Sequence, residues 1–349
     1  MTNTPHRTPG DPSIAEPSCS NKTRWDRRDF LRHTTAGAGL LMAGHAAASD
    51  SHDTQPSDTE PLPTRTLGRT GAEVTILGLG TAPIGEGPIE VDEATRIFGA
   101  VLDRGVNLVD TARIYGNAEE ALGRLIPARR ERLFLATKVS TDLAEAAERS
   151  LAESFRLMKT DYMDLVHIHS AGSRNIDRVL DKDGVLDYLV RQKKAGRIRF
   201  LGISGHSRPG NFLRLLETGL IDVVMPVMNY ADRNIYGFEK AVLSECRRQN
   251  VGVIAMKVYV GIKGGFPNHR RAHVGCVTEP ERLPQALAYA LDLEGVSAAV
   301  IGPYTMEQAL ANVQIARGYR PLTDQQLEEL LALGRRLAPD LGPRYGPVA

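Results

Sequence analysis

The stretch NLVDTARIYG, residues 107–116, determines how the rest of this sequence is interpreted. The turn residue Gly105 precedes it, its apolar strand ends at Asp110, and Tyr115 follows five residues later. In a (β/α)8 barrel the carboxyl ends of the strands carry the chemistry, while the amino ends serve stability. The stretch therefore predicts a barrel strand that delivers a carboxylate and a phenol to one site.

Two later apolar runs also end in polar groups: FLATK ends in Lys138, and DLVHIH ends in His169. A phenol is a weak acid at neutral pH, and a neighbouring ammonium lowers its pKa by favouring the ionised form. A buried lysine needs an opposite charge, which Asp110 on the adjacent strand can supply. We therefore predict a proton-donating site with Tyr115 as the acid and Lys138 beside it. His169 is placed to hydrogen-bond a substrate carbonyl and to share the proton transfer.

Apolar runs of strand length alternate with amphipathic helical stretches over residues 64–320, a length typical of one barrel. Eight such units with short connections predict parallel strands joined by right-handed crossovers. A hairpin is predicted over residues 64–74, and a further helix over Thr323–Leu337 with Thr323 as its N-cap. The expected fold class is α/β, a (β/α)8 TIM barrel with a leading β-hairpin and a C-terminal extra helix. The predicted strands are Ile76–Leu79, Leu108–Asp110, Leu133–Lys138, Met163–His169, Phe200–Ile203, Val223–Val227, Val251–Met256 and Ala298–Ile301.

An open, doubly wound sheet is the alternative fold for such an alternation. That fold requires a glycine-rich dinucleotide fingerprint after its first strand, and GLGT at residues 78–81 lacks the third glycine. The barrel is therefore the better prediction. The tail Pro339–Ala349 is expected to be loose, and this tail and the segment Tyr259–Cys276 are expected to form the walls of the pocket.

The composition excludes several classes of protein. The 349 residues include 43 Lys and Arg and 42 Asp and Glu, so there is no basic field of the kind that nucleic-acid binding needs. The three cysteines, Cys19, Cys246 and Cys276, lack the CxxC spacing of a zinc site. A disulfide between Cys246 and Cys276 stays open as an alternative, because geometry decides whether two thiols can join.

The first 48 residues follow the plan of an export signal. The stretch DRRDFLR contains the pair Arg27 and Arg28, and a mild apolar run follows from Thr34 to Ala48. This core resembles the twin-arginine type, which is an address read by the export machinery rather than an anchor. The run is too short and too rich in Gly, Thr and Ala to span a bilayer stably. A disordered basic N-terminus is the alternative interpretation.

The sequence thus divides into a twin-arginine-type signal peptide at residues 1–48, a polar linker at 49–63 and a barrel domain at 64–349. We expect the export machinery to be a partner and the protein to be periplasmic or secreted. The resemblance to this type of signal implies export of a folded protein, often with a cofactor in place.

The order and spacing of the three motifs resemble those of the aldo-keto reductase family. The resemblance covers nearly all of residues 64–320 and includes LGIS at residues 201–204. It implies an NAD(P)H-dependent oxidoreductase that transfers hydride reversibly between NAD or NADP and an aldehyde, ketone, alcohol or sugar. In this family pattern Tyr115 is the general acid or base, Lys138 and Asp110 tune it, and no metal is required.

The positions expected to contact the cofactor follow from the same resemblance. Many members bind the 2′-phosphate of NADP with a Lys and an Arg after the eighth strand, where this chain has Gly302 and Gln308. Many also stack a Tyr on the nicotinamide, where this chain has Met256 followed by Lys257. The choice between NAD and NADP therefore stays open, with Lys257 or Arg317 as the alternative source of charge for the 2′-phosphate. The expected cofactor contacts are Gly80, Thr81, Ser204, Met225, Asn229, Met256, Lys257, Gly302, Gln308 and Asn312.

Other functions are compatible with parts of this pattern. His167, His169 and His206 are similar to the ligands of barrel metallohydrolases, but that function leaves Tyr115 and Lys138 without a role. A nucleotide-binding sensor barrel with little turnover is a second alternative, because fold does not establish function. The stretch VIAMK resembles a subgroup that often carries an iron–sulfur cluster, but the chain lacks the run of cysteines that such a cluster needs.

Overall fold

The structure is a computed structural model that describes residues 60–264 and 275–349. The predicted signal peptide, residues 1–48, and most of the predicted linker lie outside the described residues. In the described part, eight parallel strands close into a barrel surrounded by helices, so the predicted (β/α)8 TIM barrel is confirmed. Within the same residues, no helix is both long enough and apolar enough to cross a membrane.

The predicted leading hairpin is present as the antiparallel strands β1, Thr64–Thr66, and β2, Glu73–Thr75. Each predicted barrel strand is present with nearly the predicted ends. The barrel strands are β3 (Leu77–Gly80), β4 (Leu108–Asp110), β5 (Phe134–Val139), β6 (Met163–Ile168), β7 (Ile198–Gly205), β8 (Val223–Pro226), β9 (Gly252–Met256) and β10 (Val296–Ile301). The helices are α1 (Ala82–Glu86), α2 (Val91–Leu102), α3 (Ala118–Leu122), α4 (Ala144–Met158), α5 (Ile176–Leu180), α6 (Val185–Lys194), α7 (Pro209–Leu216), α8 (Ser244–Gln249), α9 (Leu283–Asp292), α10 (Met306–Arg317) and α11 (Asp324–Leu341).

The two faces of each strand have different environments. Outward side chains pack against the helices, and inward side chains form a separate apolar cluster that fills the barrel. Because side chains alternate along a strand, an inward apolar residue fixes the direction of the residue two positions later. Leu108 therefore places Asp110 inward, and Ala136 places Lys138 inward. The same alternation from Leu165 places His167 and His169 inside the barrel.

The hairpin closes the end of the barrel at which the strands begin. Leu67 and Val74 are fully buried and belong to the inward cluster, together with residues of the barrel strands. The hairpin turn is also tied to the start of β9, because the Arg69 amide donates to the Asn250 carbonyl at 2.6 Å. The open end of the barrel is therefore the end that carries Asp110, Lys138 and the other polar strand ends.

Helix α11 begins with the predicted N-cap, Thr323. The Thr323 hydroxyl accepts from the Gln326 amide, and the Thr323 amide donates to the Gln326 side chain, which forms a capping box. The helix continues through Pro339 to Leu341. A Cβ on Gly334 would lie 1.9 Å from the Tyr230 carbonyl oxygen, so only glycine permits this close packing on the loop after β8.

The expectation of a loose tail at Pro339–Ala349 is wrong. The Arg344 guanidinium pairs with Asp232 at 2.8 Å, and the Arg208 amide donates to the Pro347 carbonyl at 3.0 Å. The tail thus runs over the loops that follow β7 and β8. These contacts, with a buried ion pair among them, join residues that are far apart in the chain, and no local pattern in the sequence reveals them.

Candidate active site

An ion pair between adjacent strands lies at the base of the site. The Lys138 ammonium, 1% exposed, donates to Asp110 Oδ2 at 2.6 Å and to the Thr111 carbonyl at 2.8 Å. Burial raises the pKa of the Asp110 carboxyl and lowers that of Lys138, and each charge opposes the shift of the other. The pair fixes the ammonium directly below the Tyr115 ring, with Nζ 4.6 Å from the ring centroid.

Tyr115 keeps its proton in this environment. Burial raises its pKa well above the usual value, and the negative charges of Asp110 and Glu86 raise it further. The expectation of a lowered pKa for Tyr115 is therefore wrong, because burial and the two carboxylates outweigh the stabilisation of the phenolate by Lys138. The ammonium charge is bonded to Asp110 and lies against the face of the ring rather than against the phenol oxygen. A protonated phenol at neutral pH is suited to proton donation.

His169 lies beside the phenol. Its Nε2 is 3.5 Å from Tyr115 Oη, and the two rings meet edge-on with centroids 5.7 Å apart. Burial and the Lys138 charge hold the pKa of His169 well below its usual value, so the imidazole is neutral at neutral pH. The site therefore joins Asp110, Tyr115, Lys138 and His169 as predicted from their strand ends.

Ser140 is a site residue that the sequence interpretation missed. Its hydroxyl lies 2.9 Å from His169 Nδ1. When that hydroxyl donates to Nδ1, Nε2 carries the ring proton and can donate it to a carbonyl oxygen. The available indication was its position two residues after Lys138, which places it on the same inward side of the strand end.

Thr81 and Glu119 support the catalytic strand ends from behind. The amide and hydroxyl of Thr81 both lie 3.1 Å from the Asp110 carbonyl oxygen, so this predicted cofactor contact is engaged within the protein. The fully buried carboxylate of Glu119 accepts from the Thr137 hydroxyl at 2.8 Å and pairs with Arg113 at 2.8 Å. These bonds hold the backbone on both sides of the Asp110–Lys138 pair.

The ends of β7, β8 and β9 line the open end of the barrel with mostly apolar side chains. Ser204 on β7 is 1% exposed, and its hydroxyl has no hydrogen-bond partner among the described residues. Its register partner Met225 and the β9 residue Met256 are buried in the inward apolar cluster. An unbonded buried hydroxyl is costly, and an amide ligand would satisfy it. Apolar walls with one free hydroxyl therefore fit the flat ring and carboxamide of a nicotinamide.

Asn229, another predicted cofactor contact, is occupied within its own loop. Its Nδ2 donates to Asp232 Oδ2 at 2.6 Å and to the Lys257 carbonyl at 3.0 Å. Its Oδ1 accepts from the amides of Ala231 and Asp232. In this arrangement Asn229 holds two loops together rather than presenting a free amide.

Residues after β10 form a separate group. The Gln308 side chain accepts from the Tyr304 amide at 2.8 Å, and Asn312 accepts from the Tyr259 hydroxyl at 3.2 Å. A Cβ on Gly302 would lie 2.4 Å from a Pro83 side-chain atom, so this glycine lets α1 pack against the end of β10. A Cβ on Gly80 would likewise crowd β10, 2.9 Å from a side-chain carbon there.

The remaining histidines and cysteines have simpler environments. His167 is fully buried inside the barrel, and the His206 ring packs on Tyr345 with centroids 5.2 Å apart. Within residues 60–264 and 275–349, no group of three His, Cys, Asp or Glu side chains could hold a metal ion. Cys246 and Cys276 are free thiols, so the disulfide left open above is not formed.

Known proteins are similar to this chain in sequence and in fold. The model of the aldo/keto reductase family matches residues 76–271. L-galactose dehydrogenase of Arabidopsis thaliana is 26% identical over 279 residues, covering 71% of this chain and 86% of that protein. 6-Dehydroglucose reductase of Novosphingobium aromaticivorans is 32% identical over 172 residues, covering 42% of this chain and 54% of that protein. The holo form of an aldo-keto reductase from Bacillus halodurans matches with a TM-score of 0.63 and 26% identity, covering 77% of this chain and 96% of that one.

The buried His167 makes folding depend on pH in a defined direction. Burial and the Lys138 charge lower its pKa from 6.5 to about 3 in the folded protein. Below pH 6.5 this residue therefore binds more protons in the unfolded chain than in the folded one. Its contribution makes the free energy of unfolding decrease as the pH decreases. One such group contributes a slope of about 1.4 kcal/mol per pH unit until its folded pKa is reached.

We predict that the substitution His167→Met lowers, by about one, the number of protons that the protein takes up on unfolding below pH 6.5. The measurement is urea unfolding of both proteins at a series of pH values from about 8 to about 4. Asp110 and Asp232, whose pKa values are raised, titrate in both proteins, so the difference between the two curves isolates His167. The difference in the free energy of unfolding between the two proteins is expected to be constant above pH 6.5 and to change below it. A constant difference over the whole range would contradict the assignment.

Proposed function

The chain belongs to the aldo/keto reductase family and is an NAD(P)H-dependent oxidoreductase, and from that premise we propose that Tyr115 is its general acid and base. The observation that carries the proposal is the position of the phenol, 3.5 Å from a neutral imidazole and directly above a buried ammonium. The reaction proposed is reversible hydride transfer between the nicotinamide and a carbonyl or alcohol carbon. When bound, the nucleotide supplies or accepts the hydride.

The chain's own residues hold and transfer the proton. A carbonyl oxygen between Tyr115 Oη and His169 Nε2 would accept hydrogen bonds from both groups. As the oxygen gains charge, the phenol O–H bond breaks and its proton moves to that oxygen, which leaves a phenolate. The nearby Lys138 ammonium stabilises the phenolate, and Asp110 keeps the ammonium in place. In the reverse direction the phenolate takes the proton from an alcohol.

Ser204, Met225 and Met256 are proposed to hold the nicotinamide end of the nucleotide. The free Ser204 hydroxyl would bond the carboxamide, and the two methionines would contact the ring faces. Gly302, Gln308 and Asn312 are proposed to line the adenosine end, as the family pattern implies.

We propose a polar, sugar-like carbonyl or alcohol as the natural substrate. Two relatives bear the names of sugar-converting enzymes, L-galactose dehydrogenase and 6-dehydroglucose reductase. The predicted pocket wall Tyr259–Cys276 also carries polar residues, although residues 265–274 lie outside the described part. Identifying a co-purified ligand by mass spectrometry would test this choice.

We predict that Tyr115→Phe abolishes reduction of a reactive aldehyde such as 4-nitrobenzaldehyde while nucleotide affinity stays within about twofold. Phenylalanine keeps the ring and removes only the transferable proton, and general acid catalysis contributes about 10²- to 10⁴-fold. The measurements are nucleotide oxidation at steady state and nucleotide binding by titration. The control is Tyr162→Phe, which removes a phenol at the start of β6, where its ring stacks on Arg130.

Turnover of Tyr115→Phe at the rate of the unaltered protein would remove Tyr115 from the mechanism. Tight nucleotide binding by the unaltered protein without turnover of any aldehyde would instead support the alternative of a nucleotide sensor.

We also propose that residues 1–48 direct export of the folded protein by the twin-arginine route to the periplasm or the outside of the cell. The proposal rests on the sequence around Arg27 and Arg28. The double substitution Arg27→Lys and Arg28→Lys is predicted to trap the precursor in the cytoplasm, because the receptor reads the arginine pair. Cell fractionation and immunoblotting measure this, and Arg24→Lys, a nearby arginine outside the pair, is the control. Unchanged fractionation of the double variant would contradict the proposal.

We predict that the protein discriminates only weakly between the two nucleotides. Gly302 and Gln308 supply no charge where the family pattern has Lys and Arg, and Glu307 at the start of α10 is an anion with a lowered pKa. One charge-assisted contact contributes about 1.5–3 kcal/mol, or roughly tenfold to a hundredfold in affinity. Without two such contacts, the preference for NADPH over NADH is predicted to be below about tenfold in a direct titration. A preference of a hundredfold or more would show that other residues bind the 2′-phosphate.

A further inference from the structure

The ends of two neighbouring strands are joined beside the His169 imidazole. His169 directly follows β6, and its amide donates to the carbonyl of Val139, the last residue of β5, at 2.9 Å. Ser140 is the next residue along the chain, and its hydroxyl lies 2.9 Å from His169 Nδ1. The backbone bond therefore fixes the spacing of the two strand ends, and at that spacing the Ser140 hydroxyl reaches the ring.

The loops that continue from these strand ends are joined as well. Asp142, in the loop after β5, pairs with Arg174, in the loop after β6, at 3.3 Å. The same carboxylate accepts from the Asn175 amide at 3.4 Å. The contact between Ser140 and His169 therefore lies between two fixed points, the backbone bond at the strand ends and this ion pair in the loops.

The His169 ring carries a single proton at neutral pH. The residue is 6% exposed, and burial, followed by the Lys138 charge, holds its pKa well below the usual value. The charge of Arg174 acts in the same direction. A neutral imidazole has one N–H group and one bare nitrogen, so one nitrogen donates and the other accepts. The use of this ring therefore depends on which nitrogen holds the proton.

The distances around the ring favour a proton on Nε2. A bare Nε2 would accept the Tyr115 proton, and a hydrogen bond from a hydroxyl is usually about 2.7–2.8 Å long. The observed distance from Tyr115 Oη to Nε2 is 3.5 Å, which fits two groups that both carry a proton. Nδ1 is then the bare nitrogen, and the Ser140 hydroxyl at 2.9 Å is placed to donate to it.

We propose that Ser140 is a positioning residue that fixes the Nε2–H tautomer of His169 and so keeps the Tyr115 proton available for the substrate oxygen. In reduction, Nε2 and the phenol both donate to the carbonyl oxygen. In the reverse direction the alcohol oxygen accepts from Nε2, and the alcohol proton can move only to the phenolate. The kinetic consequence rests on the proposed function, whereas the tautomer itself does not.

Removal of the hydroxyl has opposite effects on the two substrates. In Ser140→Ala nothing donates to Nδ1 from this position, so the tautomer with a bare Nε2 becomes accessible. A bare Nε2 cannot donate to a carbonyl oxygen, which weakens the productive complex of an aldehyde. The same nitrogen accepts from the hydroxyl of an alcohol, which holds the alcohol proton away from the Tyr115 phenolate in an unproductive complex.

The experiment compares the full-length protein with Ser140→Ala and with Ser140→Thr, which keeps a hydroxyl. Ser154→Ala is the matched control, because it removes a buried hydroxyl on α4 that has no hydrogen-bond partner among the described residues. The first arm is nitrogen NMR of protein labelled with 15N-histidine, since the chemical shift distinguishes a protonated ring nitrogen from a bare one. The variant His169→Asn identifies the signals of His169.

The second arm measures reduction of 4-nitrobenzaldehyde and oxidation of the corresponding alcohol at saturating nucleotide. We expect Nε2 to be protonated in the unaltered protein and in Ser140→Thr, and the Nδ1–H tautomer to appear in Ser140→Ala. In Ser140→Ala, KM for the aldehyde should rise and kcat for the alcohol should fall, each by about two- to tenfold, the range of one neutral hydrogen bond. KM for the alcohol should not rise, and Ser154→Ala should change neither the tautomer nor the rates.

A proton on Nδ1 in the unaltered protein would overturn the proposal without any variant. The same tautomer in Ser140→Ala as in the unaltered protein would also overturn it, and so would a changed tautomer with unchanged kinetics. Equal losses in Ser140→Thr and Ser140→Ala would show that the hydroxyl is irrelevant. Absence of turnover in the unaltered protein would count against the proposed function instead, and the NMR arm would still test Ser140 directly.

Discussion

The buried ion pair between Lys138 and Asp110 is the interaction on which the rest of the site depends. A lone charge inside a barrel is very costly, and removing one partner of a buried pair costs about 3–5 kcal/mol. Adjacent parallel strands bring the two side chains together, and the pair then fixes an ammonium under the Tyr115 ring. The chemistry of the phenol follows from that position, since a phenolate is stabilised by the cation and a phenol is retained by the surrounding burial.

A second buried ion pair lies on the opposite side of the open end. There the buried carboxylate of Asp232 holds Arg344, which also donates to the Val260 carbonyl, so this second pair fastens the C-terminal tail to the loop that follows β9. One half of the open end therefore carries the groups proposed for proton transfer, and the other half carries apolar walls and the Ser204 hydroxyl, which has no partner among the described residues. A carbonyl substrate and a nicotinamide need these two environments face to face.

Much of this arrangement could be predicted from the sequence, because strand alternation is a local property. The inward positions of Asp110, Lys138 and His169 follow from apolar residues two positions earlier, and Thr323 was correctly assigned as the N-cap of the last helix. The raised pKa of Tyr115 was not predictable, since it depends on burial and on how the Lys138 charge is shared. The packed tail was missed for a similar reason, because its ion pair joins residues 112 positions apart in the chain.

The central claim is that Tyr115, held above the Lys138–Asp110 pair, donates the proton while the nucleotide provides the hydride. Reduction of an aldehyde with nucleotide deuterated at the transferable position, followed by mass spectrometry of the alcohol, tests it most directly. The account predicts one deuterium on the carbinol carbon, and a rate at least about 10²-fold lower in Lys138→Met. An alcohol without deuterium, or an unchanged rate in Lys138→Met, would contradict it.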